Sequence, residues 1–185
     1  MFLFLLPSLV FFAETNETSC DLTLWVSDPD PNGLNVRAAP SIGADVLGTL
    51  PTSAEFTAIE SQNGWIQFKN PISGPGDWEP LTAGPQTGWV HGSLVKTSLR
   101  HRSTEADKAG HFRLYASSSE DSETLHQWVA GQEAWSPGND YHAVKRIWAC
   151  KEGWLKVDLL DDQKTTLTGW VHPENQCPNQ VTTCP

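Results

Sequence analysis

The chain has 185 residues, enough for one ordinary domain or two small ones, and its 38% hydrophobic content with nine Trp excludes a disordered composition. The 14 Gly and 13 Pro point to many turns and short strands, so an all-β fold is expected. Twelve basic against 22 acidic residues give a formal charge of −10, which argues against nucleic acid as a partner because nothing would displace its phosphate counterions.

The first element is MFLFLLPSLVFFA (1–13), uncharged and shorter than the ~20 residues a membrane-crossing helix needs. It reads as the apolar part of a secretory leader, with a buried strand as the alternative, because the polar stretch ETNETSCD follows immediately. Two features depart from the usual leader: no Lys or Arg follows Met1, and Phe11 breaks the small-residue rule before Ala13. Export to the periplasm or the extracellular space is the expectation, with no membrane span once the leader is removed. Next comes SDPDPNG (27–33), which fits the opening of a calcium loop until its twelfth position, where a bidentate Glu is needed and Ala39 stands. A tight turn leading into the strand LNVR is the better reading, with Asp28 and Asp30 left as negative charge at its rim.

From here the chain repeats itself. GWIQF (64–68) and TGWVHGSLV (87–95) return as GWLKV (153–157) and TGWVHPENQ (168–176), and LNVRAAPS (34–41) aligns with FRLYASSS (112–119). The offset is 78 residues at the opening strand, 89 at the first Gly-Trp and 81 at the second. Copy two therefore carries an insertion around WSPGNDYHA and copy one an insertion around SGPGDWEPLTAG, both suited to surface loops. Each copy is a run of short alternating segments, as in a small barrel, and Ile66, Phe68, Leu155 and Val157 fall on the core-facing side. The boundaries read as a leader at 1–13, one barrel at 22–96, a polar linker at 97–110 with room for a helical turn, a second barrel at 111–177 and a tail at 178–185.

Cys20, Cys150, Cys177 and Cys184 make an even set, which in an exported protein means disulfides; three pairings are open, and each ties the two halves together. Zinc is disfavoured because no Cys-x-x-Cys pair exists.

The run GLNVRAAPS…VLGTLP…GWIQF…TGWVHGSLV resembles the bacterial-type SH3 domain of secreted and cell-wall proteins, and copy two keeps both Gly-Trp strands of it. That resemblance implies two tandem small β-barrels that bind peptidoglycan peptides or an envelope protein.

Chemistry finds little footing. Cys150 with His142 or His172 would need a catalytic domain that no unassigned stretch supplies, and His-Glu-x-x-His is absent. Asp161-Asp162 reads as a hairpin turn rather than a carboxylate pair, and no phosphate-cradling Gly motif occurs. No enzyme activity, metal or cofactor is expected, and a cell-wall hydrolase is the last alternative. What remains is recognition by aromatics and acids. Trp65, Trp89, Trp154 and Trp170 hold the repeated Gly-Trp sites, Trp78 sits in the insertion of copy one, and Trp135 with Tyr141 sits in that of copy two. Asp28, Asp30, Asp77 and Glu79 would form an acidic rim for a peptide bearing free amines. The same acidity also suits an inhibitor or immunity-type protein that binds a basic envelope enzyme.

Overall fold

The computed structural model describes residues 19–75, 77–102, 111–129, 144–160 and 163–177. It is all-β, with two separate sheet regions and no α-helix among the described residues. The first region is built from β1 (Leu22–Val26), β2 (Leu34–Arg37), β3 (Val46–Leu50), β4 (Glu55–Gln62), β5 (Trp65–Ile72), β6 (Thr87–His91) and β7 (Val95–Lys96). These form one sheet in the order β3-β2-β6-β5-β4-β1-β7. After β8 (Ser98–Leu99), the second region comprises β9 (His111–Tyr115), β10 (Thr124–Val129), β11 (Val144–Lys151), β12 (Trp154–Leu160) and β13 (Thr166–Val171), in the order β10-β9-β13-β12-β11. A 3-10 turn, Pro173–Asn175, leads to β14 (Gln176–Cys177), which pairs with β8.

Alternation decides which faces are buried. Ile66, Phe68, Leu155 and Val157 are fully enclosed, together with Leu34 and Val36 of β2 and Phe112 and Leu114 of β9. The two regions share a register in detail. β4 pairs with β5 through Thr57–Lys69, Ala58–Phe68, Glu60–Gln67 and Ser61–Ile66, with irregularities after Glu55 and Ala58. β11 pairs with β12 through Arg146–Asp158, Ile147–Val157, Ala149–Lys156 and Cys150–Leu155, with irregularities after Val144 and Ile147, the same positions 89 residues on. β2–β3 and β9–β10 also agree, Leu34–Leu50 answering to Phe112–Trp128, each with one irregularity near the hairpin. Close approach fixes two glycines at the second Gly-Trp. A Cβ on Gly88 would strike the Val36 side chain, and one on Gly169 would lie 3.0 Å from the Leu114 Cβ.

The regions meet along β4 and β11. Ser61 and Cys150 occupy equivalent places in the repeat, and they bond each other. The Cys150 N–H donates to Ser61 Oγ (2.9 Å), which donates in turn to the Cys150 carbonyl (3.2 Å). The Gly64 N–H donates to the Trp148 carbonyl (3.0 Å), and the Ile147 N–H donates to the Gly92 carbonyl (2.9 Å). Cys20, just before β1, forms a disulfide with Cys150, and both are fully buried. Cys177 is also disulfide-bonded, whereas Cys184 lies outside the described residues. Such bonds persist in oxidising compartments, which fits export. Among the described residues no helix is long and apolar enough to cross a membrane.

Of the polar connector at 97–110, only residues 97–102 are among the described residues. Thr97, Ser98 and Leu99 are buried, and the Arg102 and His111 backbones bond each other reciprocally (2.7 and 2.9 Å). Its first residues are therefore part of the packed body: β8 supplies a partner for β14, and Leu99 supplies the apolar contact.

Candidate functional site

The insertion of the first copy is a braced arch. After Asn70 takes a left-handed conformation (φ 52°), the chain leaves β5 and returns through a bridge between Ile72 and Pro80. The Ser73 N–H donates to the Glu79 carbonyl (2.8 Å), the Glu79 N–H donates to Ser73 Oγ (2.9 Å), and the Leu81 N–H donates to the Pro71 carbonyl (2.9 Å). Gly74 lies so close to the Ser53 carbonyl that any Cβ there would collide with it, which anchors the arch to the 51–54 turn. Gln86 Nε2 closes the outer side by donating to the Leu81 carbonyl (2.7 Å).

Trp78 stands on this arch, 43% exposed, with φ at 54°. A bulky residue in the left-handed region is a steric outlier that costs about 1–3 kcal/mol and persists only where the surroundings impose it. Asp77 and Glu79 flank it, and with Ser73, Pro80 and Leu81 they line a recess of about 450 Å³. That size lies within the range of about 300–1,000 Å³ typical of ligand pockets. The sequence candidates Asp77, Trp78 and Glu79 are thus brought together.

Asp28 and Asp30 spend their carboxylates on their own turn. Asp28 Oδ1 accepts from the Asp30 N–H (3.0 Å), and Asp30 Oδ1 accepts from the Asn32 N–H and from Asn32 Nδ2 (both 2.9 Å). Gly33 follows at φ 88°, where a Cβ would lie 2.5 Å from the Leu50 carbonyl oxygen. Thr52 Oγ1 donates to the Asp28 carbonyl (3.0 Å), so this turn shares the 51–54 support of the Trp78 arch. No group of acids, His and Cys suited to a metal ion occurs among the described residues.

The repeated Gly-Trp tryptophans are placed differently from Trp78. Trp65 and Trp89 are 8% exposed and Trp154 9%, so their faces seal the body, and half-buried Trp170 pairs across the sheet with Tyr115. Trp135 and Tyr141 lie outside the described residues, as do His142 and the Asp161-Asp162 pair.

Sequence reasoning missed the partners of the two equivalent histidines. His91 packs edge-on to Trp65 (centroids 5.2 Å apart), and its Nε2 lies 3.2 Å from Arg146, which stacks at 3.5 Å over Trp148. His172 packs edge-on to Trp154 (4.9 Å), its Nε2 lies 2.9 Å from Glu120, and Arg102 bridges Glu120 and Glu174. Burial first, then the nearby arginine, holds both imidazoles below their ordinary pKa. The hydrogen bond from Arg102 lowers the pKa of Glu120. The repeat marks the two histidines in the sequence, but the arginines come from non-equivalent segments and leave no pattern there.

Residues 32–96 match the family model of the bacterial SH3 domain. The chain thus carries one bacterial SH3 domain. The match begins after β1 and contains the Trp78 arch, and it does not extend to the second sheet region at 111–171. No curated protein matches the chain. The SH3 domain places Trp65 and Trp89 in its packed body and Trp78 on its surface.

Proposed function

We propose that the chain is an exported, non-enzymatic binding protein made of two copies of one SH3-like unit, and that the Trp78 arch grips a cell-wall peptide carrying free amines. Modules of the bacterial SH3 class commonly bind the cell wall, and the common strand register of the two sheets supports a duplication behind the second region. The observation that carries the reading is Trp78, exposed in a strained conformation between Asp77 and Glu79, which themselves line a recess. An indole face supplies stacking area, and two carboxylates favour an ammonium group. Cys150 has no free thiol to offer as a nucleophile, which supports a non-catalytic role.

Co-sedimentation with purified peptidoglycan stripped of protein tests it. Retention of the native chain, weakened about tenfold by Trp78→Ala, is expected, since an aromatic anchor of this kind is worth more than about 1 kcal/mol. Retention unchanged by Trp78→Ala overturns the site. No retention of the native chain overturns the wall ligand and favours the acidic inhibitor of an envelope enzyme, which the charge of −10 would suit.

A further inference from the structure

The two histidines that the repeat sets in equivalent positions use their rings differently. His172 bonds within its own sheet region: its Nε2 lies 2.9 Å from Glu120, and its Nδ1 accepts from the Glu174 N–H (3.1 Å). A carboxylate at that distance takes the N–H of the neutral or the charged ring alike. His91, at the end of β6, reaches instead across the seam to β11. Its Nε2 lies 3.2 Å from Arg146 Nη2, and its Nδ1 lies 2.7 Å from Ser93 Oγ. A guanidinium only donates, so Nε2 is bare and the single ring proton sits on Nδ1, facing Ser93 Oγ. A second proton, on Nε2, would meet no acceptor and would set two cations against each other. Trp65 of β5 packs edge-on to the ring and Arg146 is the charged group whose field acts on it, so among the described residues no carboxylate offsets that charge.

Arg146 depends on this one bond. Its guanidinium lies over Gly64, where any Cβ would strike Nη2, and it stacks 3.5 Å over Trp148. Its Nε is buried without a hydrogen-bond partner, as is Trp148 Nε1. Among the described residues the His91 ring is therefore the one acceptor of the Arg146 side chain. The next two residues of β11 carry the backbone bonds of the seam, from the Ile147 N–H to the Gly92 carbonyl (2.9 Å) and from the Gly64 N–H to the Trp148 carbonyl (3.0 Å). Further along β11, Cys150 pins the seam through its disulfide to Cys20.

We propose that His91 and Arg146 form an acid-sensitive latch across the seam: protonation of His91 Nε2 breaks the bond to Arg146, drives the guanidinium from its seat over Gly64 and loosens the backbone bonds beside it, while each sheet region keeps its own fold. The disulfide keeps the regions attached, so the latch sets how tightly they are coupled. Burial and the Arg146 charge hold the ring below its ordinary pKa, in keeping with this geometry. The latch is independent of the Trp78 arch.

NMR on the full oxidised chain, from about pH 7.5 down to the onset of acid unfolding, tests it. The nuclear Overhauser contact between the Arg146 side chain and the Gly64 α-protons should vanish with the midpoint of the His91 ring. The open fraction of the seam, read from relaxation dispersion at the Gly64, Gly92 and Ile147 amides, should rise about tenfold, as expected when a charge-assisted hydrogen bond is lost. Contacts inside each region, Phe56 with Phe68 and Phe112 with Trp128, should persist. His91→Gln, a neutral acceptor at every pH, should keep the seam closed throughout. Arg146→Gln, which can accept from a protonated ring, should leave the dispersion independent of pH, and His172→Gln should leave the native response in place. A Gly64–Arg146 contact that survives titration of the ring, a ring that stays neutral until the chain unfolds, or a pH response that persists in His91→Gln or Arg146→Gln would each overturn the proposal.

Discussion

Replacing Cys20 and Cys150 together by alanine removes a cross-link between residues 130 positions apart. In the chain-entropy description, closing a loop of that length lowers the entropy of the unfolded chain by 2.1 + 1.5R ln n cal/mol/K, which makes the native state about 5 kcal/mol more stable at 25 °C. For a chain of this size that corresponds to a melting temperature lowered by about 10–20 °C. The native contacts between the regions do not depend on the sulfurs: the bonds of Ser61 with Cys150, Gly64 with Trp148 and Ile147 with Gly92 use backbone groups and one hydroxyl. The variant should therefore fold to the same structure. Urea unfolding of the oxidised chain and the double variant measures the effect, and the slope m should rise in the variant, because its unfolded state expands further and exposes more surface. A loss below about 1 kcal/mol with an unchanged slope would refute the reasoning.

Trp78→Gly relieves a left-handed backbone without disturbing a packed side chain, so it should stabilise the chain by about 1 kcal/mol in the same urea assay while weakening wall retention. Gly92→Ala drives a methyl into the Ile147 carbonyl across the seam and should cost more than about 2 kcal/mol, read as a lower urea midpoint and as loss of amide-exchange protection at Ile147. His91 is held below its ordinary pKa of 6.5, so the unfolded state binds its proton first, and stability falls as pH drops below about 6.5 toward the folded pKa. His91→Gln should reduce the slope of the stability–pH profile in that window, leaving the share of His172, which is lowered in the same way, while Glu120 adds a separate loss only below about 4.5.

The sequence determined the all-β class, the recurrence of the Gly-Trp strands and the core-facing side of those strands, because alternation and glycine placement are local signals. Ile66, Phe68, Leu155 and Val157 could be assigned to the core from two pentapeptides, and Gly33 could be assigned to its turn from the residues around it. Asp77, Trp78 and Glu79 could be grouped because they are adjacent in the chain. The repeat also aligns Ser61 with Cys150, yet nothing local says that those two positions touch. Tertiary structure decided that pairing, the choice of Cys20 as the partner of Cys150, the arginines that reach His91 and His172, and the burial of Trp65, Trp89 and Trp154 while Trp78 stays exposed. The physical reason is distance along the chain. A strand's own pattern records which face is apolar, but which strand edge meets another, and which pocket is filled as a result, depends on residues up to 130 positions apart that only folding brings together.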